Sequence, residues 1–340
     1  MEFDERLHMQ LTGDLRIHRL LNGMWQVSGA HGPIDRRKAI QTMLAYHDAG
    51  FTTWDLADHY GPAEDFIGEF RRQLKAARGA GALADVQAFT KWVPQPMRMT
   101  PRVLEEAIGV SLRRMDTESL DLLQFHWWDY ENEQYLAALE ILAQMQQLGK
   151  IKHLALTNFD TLHVQQIIEH GITIVSNQVQ YSLIDRRPEV RMVNLCQERQ
   201  VWLLTYGTLC GGFLSDRYLG QPEPGRLMLE TASLKKYKQM IDAWGGWGLF
   251  QDLLKTLKEI ADKHAVSIAN VATRYILDKP KVAGVIVGVR LGLSDHREDN
   301  ARVSSLQLDG QDVERIETIL TRSNNLYRLI GDCGDEYRLG

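Results

Sequence analysis

Four side chains with acid–base chemistry stand at or just past the ends of short apolar runs. Asp55 closes FTTWD, Tyr60 follows five residues on in DHYG, Lys91 closes AFTK, and His126 closes LLQFH. Together they could move a proton to or from a substrate oxygen. A tyrosine, with a reference pKa of about 10, is a poor donor to a carbonyl at neutral pH unless something stabilises its phenolate. A lysine ammonium alongside does that, and a carboxylate holds the lysine charged and in place. A neutral histidine on the other side can hydrogen-bond the substrate oxygen and orient it, so that an acid stands where negative charge develops. Each residue taken singly has a plain alternative: a helix cap for Asp55, core or surface packing for Tyr60, snorkelling to solvent for Lys91, and a satisfied core position for His126. Four together at three successive strand ends are harder to explain by packing.

The elements that must position them follow from periodicity. From about residue 35 amphipathic helical stretches alternate with runs rich in Val, Ile, Leu, Phe and Thr, the pattern of βαβ units around a parallel sheet. Strands are predicted at 22–25, 51–55, 86–91, 121–126, 151–157, 173–178, 201–206 and 284–288. Helical period marks 36–49, 63–76, 101–115, 133–148, 162–169, 188–200, 249–264, 267–277 and 312–321. Eight strands with intervening helices predict an α/β fold, a (β/α)8 TIM barrel, whose catalytic groups project from the C-terminal strand ends.

Thr12-Gly13-Asp14 reads as a turn between two short strands, an N-terminal hairpin ahead of the barrel. Thr100 is a good N-cap with Pro101 at the first helical position, and Pro188 could open a helix in the same way, although Arg187 is a poor cap. Residues 207–247 leave about 40 positions between the seventh strand and the next helix, a long loop that would lie over the active site. The tail from Ser323 to Gly340 has little periodicity and either packs over the barrel mouth or frays. Roughly 250 residues suffice for a typical barrel, so residues 1–340 are expected to form a single domain with elaborated loops.

Composition excludes several other classes. The chain is 44% hydrophobic and 24% charged, with a net charge of −5 and pI near 6.1. It has no run of Lys or Arg long enough to suggest a phosphate-backbone stripe, so nucleic acid is not an expected partner. Cys196, Cys210 and Cys333 are odd in number and far apart, which indicates neither a disulfide framework nor a metal site. The acidic start, MEFDERLHMQ, is unlike a secretory signal, and no window approaches a membrane span, so a cytoplasmic protein is expected.

WDLADHYG resembles the segment of the aldo-keto reductases that carries their catalytic aspartate and tyrosine. Asp55, Ala57, Tyr60 and Gly61 occupy its Asp-x-Ala-x-x-Tyr-Gly spacing. The lysine of FTKW and the histidine of LLQFHWWD continue the match in order, and the resemblance runs from about Gly23 to Asn300. It implies hydride transfer between NADPH, or NADH as an alternative, and an aldehyde, ketone or alcohol, with Asp55, Tyr60, Lys91 and His126 as the catalytic set. Thr157 and Asn158 take the place of the family's Ser-Asn pair, which with Gln178 holds the nicotinamide carboxamide. Tyr206 matches the aromatic residue that stacks on the nicotinamide ring. Gly207-Thr208-Leu209 resembles the family's Ser-Pro-Leu, whose backbone helps bind the pyrophosphate; here Ser-Pro has become Gly-Thr. Gly211-Gly212 reads equally as a flexible turn or a phosphate contact. GVIVGVRLGLSDHREDN resembles the adenosine-binding loop and helix. In it Gly288 opens the loop, Asp299 and Asn300 would address the adenine, and Arg290 or His296 would address a 2′-phosphate. An Arg290 contact would favour NADPH, the alternative being an exposed loop arginine. No G-x-G-x-x-G follows the first strand, which argues against a Rossmann domain.

Trp25, Trp92, Trp127 and Trp128 cluster at or past strand ends, and Trp25, Trp92 and Trp127 are expected to line an aromatic pocket for an apolar carbonyl. Some relatives of the family serve as redox-sensing, cofactor-binding subunits of potassium channels, so a regulatory NADPH-binding subunit is the alternative from another class. An unrelated barrel with Lys91 as a Schiff-base amine is a third.

Overall fold

The computed structural model describes residues 5–29, 32 and 34–338. Strands β1 (His8–Thr12) and β2 (Leu15–His18) form the antiparallel hairpin about Thr12–Asp14. Its Leu11, Leu15 and Ile17 pack with Leu21, Phe89, Leu122 and Leu204 from inside the barrel. The indole of Trp202, at the start of a barrel strand, donates to the Leu11 carbonyl at 3.1 Å. The hairpin therefore closes the end of the barrel opposite the strand termini that carry the candidate chemistry.

Eight parallel strands close on themselves: β3 (Leu20–Gly23), β4 (Thr53–Asp55), β5 (Gln87–Trp92), β6 (Leu122–His126), β7 (Leu154–Thr157), β8 (Ser176–Gln180), β9 (Trp202–Tyr206) and β10 (Val282–Gly288). They follow chain order around the barrel, with β10 against β3. Register brings the strand ends level. Gly23 faces Asp55, Lys91 faces Gln124, His126 faces Thr157, Thr157 faces Gln178, and Gln180 faces Tyr206.

Around the barrel run α1 (Arg36–Asp48), α2 (Ala63–Arg78), α3 (Pro101–Arg114), α4 (Gln134–Gln147), α5 (Thr161–Glu169), α6 (Met192–Arg199), α7 (Ala232–Trp244), α8 (Gly246–His264), α9 (Ile268–Leu277), α10 (Arg297–Ala301), α11 (Gly310–Leu320) and α12 (Leu326–Ile330). The Thr100 hydroxyl accepts from the Val103 N–H with Pro101 in the first turn, as expected.

Three expectations need correction. The first barrel strand lies at Leu20–Gly23, two residues earlier than predicted, because all four of its residues are buried and Leu20-Leu21 belong to it. Trp25 instead opens a 3-10 turn, Trp25–Ser28. Pro188 sits in a separate 3-10 turn, Arg187–Glu189, and α6 begins only at Met192, because the Arg187 side chain is drawn into a buried ion-pair cluster. The stretch 207–247 contains α7, capped by Thr231 on the Leu234 N–H. The Gly-Gly-Trp-Gly run that joins α7 to α8 hides the helical period there.

Through its described residues, to Arg338, the tail packs against the barrel. After α12 it crosses the barrel mouth as a short 3-10 turn, Asp335–Tyr337. There Arg338 donates to the carbonyls of Trp127 and Asn158 at 2.9 and 2.8 Å.

Candidate functional site

Asp55 and Lys91 form an ion pair closed off from solvent. Each is 2% exposed, and Lys91 Nζ donates to Asp55 Oδ2 at 2.6 Å and to the Leu56 carbonyl at 3.0 Å. Buried charges persist when their remaining hydrogen-bonding positions are filled. Here Asp55 Oδ1 accepts from the amides of Gln124 and Gln178 at 2.8 and 2.7 Å. Burial draws the Lys91 ammonium below the usual lysine range, against the pull of Asp55.

Tyr60 lies on the turn after β4, half-buried, with Lys91 Nζ 5.2 Å from its ring centre and the Trp25 ring 5.0 Å away. Burial pushes its phenol well above the ordinary tyrosine value, with Asp55, Tyr337 and Asp58 adding to the rise, so Tyr60 keeps its proton at neutral pH. His126, at the end of β6, is lowered to about 3 by burial, helped by the positive charge of Arg338. It is a neutral imidazole, and its buried Nε2 has no hydrogen-bond partner among the described residues. Across the register, the buried Thr157 hydroxyl is also unpartnered. Two open polar atoms thus stand on facing residues at the mouth of the barrel, where they are available to a ligand.

The residues expected around a cofactor have mixed surroundings. Asn158 adopts a left-handed conformation with φ +57°. Its Oδ1 accepts from the Tyr206 hydroxyl at 2.8 Å, so the ends of β7 and β9 are tied together. Gln178 is engaged with Asp55 and Gln124. Gly207 has φ +72°, and a Cβ there would meet Tyr237 Cζ at 2.9 Å, so the position favours glycine. Leu209 is half-buried against the core. A Cβ on Gly288 would strike the Gln26 side chain. Arg290 is exposed, with no ion pair among the described residues, and His296 is exposed too. Asp299 is turned toward α9, where it accepts from the Ser267 hydroxyl at 2.8 Å and from Asn270, and the half-buried Asn300 follows it.

Among the tryptophans, Trp25 stands against Tyr60, and Trp92 is nearly buried with its ring 5.6 Å from Phe125. Trp127 does not line the mouth. It is fully buried, and its indole N–H donates to the Asp129 and Asn132 carbonyls at 2.6 and 2.9 Å. Trp128 stands there instead, with its ring 4.2 Å from His126.

Reading the sequence did not single out Gln124, Lys236 or Tyr337. Gln124 could have been found, because it lies two residues before His126 and strand residues two apart share a face. The Tyr337 hydroxyl lies 3.1 Å from that of Tyr206 and accepts from Lys236 at 2.5 Å, so the tail and α7 meet over β9. No local signal marks that meeting.

Residues 19–321 match the model of the aldo/keto reductase family. An NADH-specific methylglyoxal reductase of Escherichia coli is 21% identical over 299 residues, covering 82% of this chain and 87% of that protein. A glycerol dehydrogenase of Gluconobacter oxydans superposes with TM-score 0.76 at 21% identity, over 93% of this chain and 96% of that one. An aldo-keto reductase of Klebsiella pneumoniae, solved in complex with NADPH, superposes with TM-score 0.66 at 20% identity over 90% and 92%. With the family model spanning nearly the whole barrel that holds the Asp55–Lys91 pair, the chain belongs to the aldo/keto reductase family and is an NAD(P)H-dependent oxidoreductase.

Proposed function

We propose that residues 1–340 act as one barrel domain that reduces an aldehyde or ketone to an alcohol with NADPH, or runs the reverse reaction, with Tyr60 as the proton donor. The observation that carries this is the neutral His126, its Nε2 unpartnered, beside a buried Asp55–Lys91 pair that stands 5.2 Å from the Tyr60 ring. When bound, the dihydronicotinamide supplies the hydride for the carbonyl carbon. The Tyr60 hydroxyl gives its proton to the carbonyl oxygen, and burial keeps that hydroxyl protonated until it is needed. The Lys91 ammonium then stabilises the phenolate left behind. His126 donates a hydrogen bond to the same oxygen and orients it, a role its neutral form can fill through one ring nitrogen. The ion pair with Asp55 and the bond to the Leu56 carbonyl hold Lys91 as an ammonium, which argues against a Schiff-base amine.

The unpartnered Thr157 hydroxyl suits the nicotinamide carboxamide, with Asn158 and Gln178 beside it and the Tyr206 ring as a stacking surface. Gly207 and Leu209 would carry the diphosphate, and Gly288, Asp299 and Asn300 the adenosine end. Arg290, exposed and without an ion pair among the described residues, suits a 2′-phosphate, so NADPH is favoured and NADH is the weaker alternative. Trp25, Trp92 and Trp128 suit an apolar or aromatic carbonyl. A net charge of −5 without a basic stripe fits a cytoplasmic enzyme of small molecules rather than a nucleic-acid binder.

The test is NADPH oxidation with a panel of aldehydes and ketones, comparing wild type with Tyr60→Phe and using NADH as the control. Loss of turnover by about 10²–10⁴-fold in Tyr60→Phe, with NADPH binding unchanged, is expected. Tight NADPH binding without turnover of any carbonyl by the wild type would point instead to a regulatory cofactor-binding subunit.

A further inference from the structure

The interior of a TIM barrel is ordinarily filled by branched apolar side chains. Here the layer beneath the strand ends holds four polar ones: Asp55, Lys91, Gln124 and Gln178, all between 0% and 3% exposed. Gln124 lies on β6, opposite Lys91 in register and two residues before His126. Its Nε2 donates to Asp55 Oδ1 at 2.8 Å, and its Oε1 accepts from Gln178 Nε2 at 2.6 Å. Gln178 Nε2 also donates to Asp55 Oδ1, at 2.7 Å.

The amide orientations follow from chemistry. An ionised carboxylate only accepts, so both glutamines must turn their nitrogens toward it, and the Gln124 oxygen is then free for the second N–H of Gln178. Lys91 occupies Asp55 Oδ2 and the two amides occupy Oδ1, so the carboxylate is satisfied without water.

We infer that Gln124 is a positioning residue for proton transfer: its amide keeps Asp55 and Lys91 as an ion pair, and so keeps a positive charge beside Tyr60. In a dry interior, an ion pair that loses one of its hydrogen bonds is driven toward its neutral form, with the proton passing from lysine to carboxylate. A neutral Lys91 would still fill its place in the barrel, but it would no longer stabilise the Tyr60 phenolate. Gln124 acts through Asp55 and Lys91 and touches neither Tyr60 nor His126 by any hydrogen bond among the described residues. The titratable and charged groups facing this set are Tyr60, Asp58 and His59 from the segment after β4, His126 from β6, and Tyr337 and Arg338 from the tail. All are unchanged in the two Gln124 variants below.

The inference rests on Tyr60 as proton donor, and the experiment separates the two. Gln124→Met keeps length and volume and removes the donor. Turnover is measured against pH for wild type, Gln124→Met and Tyr60→Phe. The Tyr60 phenolate is titrated by ultraviolet difference spectroscopy without substrate, with Tyr60→Phe as the blank. Gln124→Met is expected to lower kcat about tenfold with KM within about twofold, and to move the Tyr60 ionisation up by about one pH unit. A kcat and a Tyr60 titration both equal to wild type overturn the inference, whatever the melting temperature does. Turnover surviving in Tyr60→Phe would instead sink the functional reading.

Gln124→Glu guards against a misfolded methionine variant, since its protonated form still donates one hydrogen bond. Its activity relative to wild type is expected to fall as pH rises and the new carboxyl ionises against Asp55. A ratio that stays flat with pH would overturn the inference as surely.

Discussion

Glu336 accepts a 2.8 Å ion-paired hydrogen bond from Arg187, whose own side chain is only 1% exposed. Arg187 also grips Asp185 through two nitrogens at 2.8 Å and donates to the Asp332 carbonyl at 2.9 Å. One buried guanidinium therefore fastens the tail to the segment after β8, and holds Tyr337 and Arg338 over the barrel mouth.

Removing that guanidinium would leave two carboxylates buried together. Arg187→Met is expected to cost about 3–5 kcal/mol in urea unfolding. The pair also carries a pH signature. Burial by itself would raise the Glu336 carboxyl, but Arg187 overrides it and leaves the group below its ordinary 4.5. The unfolded chain then binds the proton more readily than the fold. The stabilisation is complete above about pH 4.5 and is lost as pH falls through the lower, folded value. Glu336→Gln should be less stable than wild type at pH 7, with the difference shrinking as the solution is acidified below 4.5. A difference that holds constant down to the acid transition would refute the assignment.

How far the barrel can be read from the chain depends on the range of the interactions involved. Parallel strands covered on both faces read as continuous apolar runs, so LLQFH and VWLLTY stand out on their own. The Asp55, Lys91 and His126 positions are legible for the related reason that polar groups ending such runs conflict with burial. Arg187 misled because it was judged as a helix cap, whereas its role depends on Glu336, which is 149 positions away. The tail lacks periodicity altogether, because its residues are held by individual hydrogen bonds to strand ends rather than by an amphipathic face. The α7 helix was obscured by the glycines that follow it.

Gly207 and Tyr237 compete for the same space. The backbone at Gly207 has φ +72°, and a Cβ there would sit 2.9 Å from Tyr237 Cζ. Gly207→Ser should therefore destabilise this protein by about 1–3 kcal/mol through overpacking. Combining it with Tyr237→Ala should recover part of that loss, giving a favourable coupling in a double-mutant cycle. Additive effects in thermal or urea unfolding would show that the two positions do not compete for space.

The two adjacent tryptophans should behave oppositely. Just past the end of β6, Trp127 packs on the outward-facing Phe125, with the rings 5.9 Å apart, whereas Trp128 stands against His126. Trp127 is fully buried with its N–H bound to two loop carbonyls, and Trp127→Phe leaves both without that donor. It should cost about 1–3 kcal/mol of stability and leave KM for carbonyl substrates nearly unchanged. Trp128 is half-buried with its ring 4.2 Å from His126 and 5.8 Å from Tyr337. An aromatic substrate held against that ring would lose about 0.5–1.5 kcal/mol of stacking in Trp128→Ala, raising KM by up to about tenfold. Aliphatic aldehydes make no such contact and should be affected less, with stability close to wild type. Parallel KM measurements on one aromatic and one aliphatic aldehyde, with melting curves for both variants, decide the matter. A KM change confined to Trp127→Phe would place the substrate on the other side of β6.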